Sequence, residues 1–385
     1  MEFALNEEQQ VFQRSTQQFL KSKGDLEIPR EYSEGKEEVL DDLWIGLAEL
    51  GYMGITVSES YGGLGMGPLT LVPILEEMGR AVIPGPYIET VAFAAPLIEK
   101  YGSAEQKEKY LEQLASGNRK FTVALLEGNG ELSPTNINVL ATQKDNEYVL
   151  DGEKILVSHA DFADTLIVPV RTGNNEQDIS LLIVDCDSST LQMEKQISMD
   201  ESRKMIKVSF NEVAVPKLQL LGDENTGWEI LQDGIQGLNT AWCSNMVGGL
   251  DRIVEIATEY ANTREQFGQP IGRFQAVKHK IVEMKMNLET ARSLAYYAAW
   301  ALENNTEDVV EAIAMARSLI TESFIQSASD NIQVHGGMGF TWEFDCHLFL
   351  KRAKSLENYL GSPEDYREQV VSELVGNKES LILER

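Results

Sequence analysis

From residue 223 to the end of the chain, apolar residues recur at helical spacing almost without a break. No other feature constrains the fold as much, because a helical period held this long admits only stacked helices. The run divides at about 225–262, 272–303, 307–334 and 342–373. Long segments joined by short connections predict a four-helix bundle.

The first third is helical too. Val11, Phe12, Phe19 and Leu20 predict a helix over 7–22, with Asn6 as N-cap. Leu40, Leu43, Trp44, Leu47 and Leu50 predict another over 37–51, and further helices are expected at about 68–80, 87–101 and 104–116. At about residue 120 the texture changes. Segments 121–126, 139–142, 147–150, 154–157, 165–170, 179–184, 205–210 and 213–216 are short and rich in β-branched residues. Turn residues such as Asn129-Gly130 and Asp151-Gly152 separate several of them. The expected fold is mainly α with a middle β-domain: an N-terminal helical domain over 1–119, a small β-barrel or sandwich over 120–222, and the bundle over 223–385.

Charge narrows the functional classes. Thirty-three basic against 61 acidic residues give a net charge of −28. Such a chain is repelled by phosphate backbones and anionic lipid, so neither nucleic acid nor a membrane surface is an expected partner. Cys186, Cys243 and Cys346 are too few and too scattered for a disulfide framework. With no basic, apolar start at Met1, they predict a reducing, cytoplasmic setting. The four histidines form no metal pair, so no metal is expected. The glycines of 62–67 follow no strand, which removes a dinucleotide loop.

Ordered segments carry the more specific signal. Tyr61-Gly62-Gly63-Leu64-Gly65 precedes Glu76-Glu77-Met78-Gly79-Arg80; Gly152-Glu153-Lys154 opens a strand ending at Ser158; Arg264-Glu265-Gln266-Phe267-Gly268 runs on to Phe274-Gln275; Gln333-Val334-His335-Gly336-Gly337 follows. In this order, over nearly the whole chain, they resemble the acyl-CoA dehydrogenase family. The resemblance implies a flavoprotein of lipid metabolism that holds FAD at a subunit interface. It implies α,β-dehydrogenation of an acyl-CoA thioester, a carboxylate removing the α-proton and the flavin accepting the β-hydride. Electrons would pass to an electron-transferring flavoprotein. By the same resemblance Arg264 reaches the flavin pyrophosphate of the neighbouring subunit, and Phe267 and Gln275 line the adenine end. Gln333, Gly336 and Gly337 form a loop against the cofactor, and Ser158 bonds flavin N5.

The departures from the family pattern concern the base. Leu360 and Leu238 stand at the two positions where the family places its catalytic glutamate. The segment from Lys351 to Gly361 looks like a bacterial branch of the family, some members of which work in paired, unequal subunits. Glu357, one helical turn before Leu360, is the candidate displaced base. The alternative is a base-less, catalytically silent or structural subunit of a heteromeric enzyme. Leu294, Tyr296, Tyr297, Trp300, Leu319, Ile320 and Phe324 add up to more apolar surface than one bundle layer hides, which predicts burial against a second subunit in a dimer-based assembly, and the resemblance implies a homotetramer or a heterotetramer with a related subunit.

Overall fold

The computed structural model describes residues 5–187 and 190–383, the last eight as backbone. In chain order the elements begin with α1 (Glu7–Ser22), α2 (Glu27–Ser33), α3 (Glu38–Glu49) and α4 (Pro68–Arg80). A π-helix (Glu89–Ala94) runs into α5 (Ala95–Tyr101), followed by α6 (Ala104–Ala115). The strands are β1 (Phe121–Val123), β2 (Leu140–Lys144), β3 (Glu147–Ser158), β4 (Thr165–Arg171), β5 (Ile179–Asp185), β6 (Leu191–Gln196), β7 (Met205–Pro216) and β8 (Leu220–Leu221). Then come α7 (Gly227–Thr263), the short pair β9 (Glu265–Gln266) and β10 (Gln269–Pro270), α8 (Gln275–Asn304), α9 (Val309–His335), α10 (Cys346–Leu356) and α11 (Pro363–Leu383).

These elements form two compact units, and α7 supplies residues to each. The helical unit takes residues 5–35, 68–83 and 239–383. Asn6 caps α1 as its side chain suggested: its Oδ1 accepts the Gln9 amide at 2.8 Å and Gln9 Oε1 accepts the Asn6 amide at 3.0 Å. α4 meets α7 backbone to backbone. A Cβ at Gly79 would stand 1.8 Å from the Asn245 carbonyl oxygen, and one at Gly248 1.8 Å from that of Glu76. Only glycine permits that approach. Beside this seam lies a charge cluster. Arg292 reaches Glu76 at 3.6 Å and Asp251 at 3.5 Å, and Arg80 pairs with Asp251 and Glu255. Burial pushes the Glu76 carboxyl up to about 7 against the pull of Arg292.

α8, α10 and α11 pack on α9. The fourth bundle segment is therefore two helices, not the single one expected over 342–373. Gly361 (φ 126°) and Pro363 break it. Proline lacks an amide hydrogen and restricts the residue before it, and these local penalties outweigh an apolar period that continues through the break. Tyr296, Ile320 and Phe324 are buried within the unit, so they are not surplus surface as expected. Leu319 of the expected set is exposed on α9, and Val282 and Met286 are exposed on α8.

The sheet unit takes residues 36–67, 84–187 and 190–238. Its eight strands form one sheet, ordered β6-β7-β3-β2-β4-β5-β8, with β1 paired parallel to β4. Buried Tyr148, Leu150, Leu166, Val168, Val170, Leu182, Val208 and Phe210 make its core. The segments 147–150 and 154–157 are not separate strands. Asp151-Gly152 is a bulge within β3, where the pairing to β7 shifts register and Gly152 takes φ 136°. The segments 205–210 and 213–216 likewise join as β7. β6 was not expected. It is a largely polar edge strand, Leu-Gln-Met-Glu-Lys-Gln, held by its pairing to β7, with only Leu191 and Met193 turned against the core as a weak apolar signal. Among the described residues no helix is long and apolar enough to cross a membrane, and no cluster of three metal-ligating side chains occurs.

Candidate functional site

Tyr260, in the last turn of α7, stacks on His335, the last residue of α9, with ring centroids 4.1 Å apart. Phe344 packs edge-on against both rings. His335 Nδ1 lies 2.9 Å from the Asn331 carbonyl oxygen. Burial lowers the His335 pKa, so the neutral ring donates from Nδ1. This aromatic contact brings two chain segments to the same end of the helical unit: the β9–β10 hairpin leaving α7 and the glycine loop leaving α9.

The hairpin carries three of the candidate residues. Gln266 pairs with Gln269, leaving Phe267-Gly268 as a two-residue turn with φ 53° and 79°. Positive φ at both centres is the type I′ geometry that suits the twist of a hairpin. A phenylalanine at its first position is strained, on the order of 1–2 kcal/mol, and it is also 92% exposed, with its ring edge-on to Phe274 at 6.0 Å. Arg264 is exposed. Its backbone is tied into the hairpin by the Tyr260 carbonyl and the Ile271 amide, both at 2.8 Å. Its guanidinium makes no ion pair or hydrogen bond among the described residues, not even with adjacent Glu265. Gln275, the first residue of α8, is exposed as well. A strained apolar side chain and a partnerless cation side by side are what a surface completed from outside the chain looks like.

The loop carries the other three. Gln333 is exposed at the end of α9, and Gly336 takes φ 58° and ψ −135°, a conformation open to glycine alone. A Cβ at Gly336 or Gly337 would meet nothing within 4 Å, so the backbone there is free to approach a ligand. Phe340 and Trp342 beyond the loop are 80% and 64% exposed.

Ser158 lies in the sheet unit. It is buried at the end of β3, and its carbonyl accepts the Thr122 hydroxyl at 2.7 Å. Leu238, which the resemblance sets at the alternative base position, is fully buried in α7. In the same unit the carboxylate of Glu127 binds inward. It accepts the Asn138 amide at 2.7 Å, the Val139 amide at 3.1 Å and Lys154 Nζ at 2.6 Å. Lys154 is wholly buried, which depresses its pKa to about 8.

The break between α10 and α11 holds the remaining candidates. Glu357 caps α10, and Lys354 Nζ bonds both its carboxylate oxygens, at 2.9 and 3.1 Å. Leu360 is buried, with φ 64°. Its carbonyl accepts the Tyr366 hydroxyl at 2.8 Å, and the same hydroxyl lies 3.0 Å from the Asn239 side-chain amide. The Tyr366 hydroxyl is thus shared between two acceptors, the Leu360 carbonyl and Asn239 Oδ1. Burial raises the Tyr366 pKa, keeping it a donor.

Sequence reasoning missed the residue that organises this break. Arg317 of α9 is 1% exposed, and its Nη2 donates to the carbonyls of Leu356 at 2.9 Å and Tyr359 at 2.8 Å. Its Nη1 donates to Thr321 Oγ1 at 2.9 Å. The available signal was an arginine set among Ala314, Ala316 and Ile320 on a buried helix.

The two ends of the chain match family models, the acyl-CoA dehydrogenase N-terminal domain over residues 6–118 and its C-terminal domain over 225–375. A Bacillus subtilis protein named probable acyl-CoA dehydrogenase YngJ is 30% identical over 97% of this chain and 100% of its own length. The solved butyryl-CoA dehydrogenase of Megasphaera elsdenii superposes with a TM-score of 0.90 at 26% identity, covering 97% of this chain and 100% of that one. The FAD complex of PigA gives 0.89 at 26% identity, covering 97% and 99%. The fold, the two matched domains and the full-length relative agree: this chain belongs to the acyl-CoA dehydrogenase family and is an oxidoreductase of that type.

Proposed function

We propose that the chain is an FAD-dependent dehydrogenase that removes the α-proton and β-hydride of an acyl-CoA thioester and passes the electrons to an electron-transferring flavoprotein. The observation that carries this reading is the exposed, partnerless Arg264 beside the strained Phe267, at the same helix end as the open Gly336-Gly337 backbone. An arginine fork suits a diphosphate, and in a chain of net charge −28 an anionic cofactor needs such a local cation. These residues fit FAD, which when bound supplies the hydride acceptor. In this reading Arg264 holds the pyrophosphate of a neighbouring subunit's cofactor, Phe267 and Gln275 line its adenine end, Gln333, Gly336 and Gly337 lie along it, and Ser158 faces the flavin ring.

The exposed Val282, Met286 and Leu319 support self-association or pairing with a related subunit, and the protein is proposed to work in the cytoplasm. The three-part division 1–119, 120–222 and 223–385 belongs to the same reading.

Glu357 is the proposed base, acting on the thioester α-proton from the α10–α11 break. A second reading has a specific observation behind it. Leucine fills both family base positions, and Glu357 is held by Lys354. A partner-dependent subunit that binds flavin without a base of its own follows from that pattern. The test is anaerobic bleaching of the flavin-loaded protein by a panel of acyl-CoA thioesters, alone and with a co-expressed relative. Bleaching by the chain alone supports the enzyme; bleaching only with the relative supports the subunit; absence of bound flavin refutes both.

A further inference from the structure

The break between α10 and α11 is held from outside by side chains. A helix end leaves carbonyls without intrahelical partners, and side chains, water or tightened last-turn bonds serve them. Here four carbonyls in eight residues each receive a side-chain donor. Arg317 Nη2 reaches those of Leu356 and Tyr359, Tyr366 that of Leu360 at 2.8 Å, and Ser318 Oγ that of Pro363 at 3.0 Å. Between them sits Leu360 at φ 64°, a conformation that a branched side chain adopts only where its surroundings impose it. Arg317 is itself unusual. It is buried, it has no carboxylate partner among the described residues, and its Nε finds no acceptor. A buried cation of this kind is costly, and the end of α10, with its row of carbonyls, is the environment that compensates it.

We infer that Arg317 and Tyr366 are positioning residues: they lock the 357–362 segment and thereby set where Glu357 and side chain 360 stand during flavin reduction. The inference rests on the proposed dehydrogenase reading, in which that segment carries the proton-abstracting group. The lock explains why a leucine is tolerated in a left-handed conformation. It also explains why Arg317 is surrounded by carbonyls instead of an acid: a carboxylate beside it would draw the guanidinium off the segment it holds.

Two readouts on the flavin-loaded, full-length protein test the inference. The first is cutting after Glu357 by a glutamate-specific protease, followed by mass spectrometry of the fragment ending there. Arg317→Met is expected to accelerate that cut at least tenfold at a temperature where the protein stays folded, and Tyr366→Phe severalfold. Arg317→Lys, which keeps a donor, should restore slow cutting. The second is anaerobic bleaching with butyryl-CoA as a function of its concentration. Arg317→Met should lower the limiting rate ten- to a hundredfold with KM and flavin content unchanged, and Arg317→Lys should recover most of it. Unchanged cutting in Arg317→Met refutes the lock. Faster cutting with an unchanged limiting rate, or a loss confined to flavin content and melting temperature, refutes the positioning role. A wild-type protein that binds flavin and is bleached by no thioester, alone or with a relative, refutes the dehydrogenase reading and the positioning role with it, while the cutting rates still judge the lock.

Discussion

Replacing Arg264 by alanine separates a cofactor contact from a structural one. The side chain is exposed and makes no ion pair or hydrogen bond among the described residues, so its removal takes nothing from the folded subunit. Surface changes of that kind stay within about 0.5 kcal/mol of wild-type stability. If the guanidinium instead holds the pyrophosphate of FAD, the mutant loses a charge-assisted, two-pronged contact of about 1.5–3 kcal/mol. That is about a ten- to hundredfold weaker flavin dissociation constant. The expected signature is therefore a split: an unchanged denaturation midpoint of the flavin-free protein and a lower flavin-to-protein absorbance ratio after gel filtration. Arg264→Lys keeps the charge without the fork and should fall between the two. Full flavin retention by Arg264→Ala refutes the assignment. A flavin-free midpoint that drops by more than the surface range refutes the structural premise, because it means the side chain had a partner in the subunit.

Glu357→Gln is expected to slow flavin bleaching by about 10²–10⁴-fold with flavin retained, and Leu360→Glu to accelerate it by placing a carboxylate at a family base position; a wild-type rate in Glu357→Gln removes that residue as the base. Lys154→Met should cost about 3–5 kcal/mol in chemical denaturation, because it strands the buried Glu127 carboxylate, whereas Lys154→Met combined with Glu127→Gln should recover much of the loss. The raised Glu76 pKa fixes the sign of a pH effect. Between about 4.5 and about 7 the folded protein binds a proton that the unfolded chain has released, so stability falls as pH rises through that window. The drop is about 3 kcal/mol at most, and Glu76→Gln should flatten it in denaturation curves taken at pH 5 and pH 8.

Helices whose apolar stripe and end signals agree were legible in the sequence alone. α1, α4, α6 and α9 lie within a few residues of their expected bounds, because the apolar period marks each of them and, in α1 and α6, side-chain caps at Asn6 and Ser103 point the same way. The order of helical, strand-rich and helical segments was legible for the same reason, and so were the motifs that placed the chain among the acyl-CoA dehydrogenases. Features that depend on a distant partner were not. β6 exists because β7 offers it a row of hydrogen bonds, and its own residues are mostly polar. β3 runs through Asp151-Gly152 because β7 continues beside it, turning a local turn signal into a bulge. The fourth bundle helix shows the converse. Gly361 and Pro363 announce the break, yet the form it takes, with Leu360 left-handed and the carbonyls of the break claimed by Arg317, Ser318 and Tyr366, depends on residues up to 45 positions away in α9. An arginine read along the chain is a charge of unknown address. Only the tertiary structure decides that Arg264 lies at the surface without a partner among the described residues while Arg317 is buried among carbonyls, because burial and pairing are set by what packs around a residue and not by its neighbours in sequence.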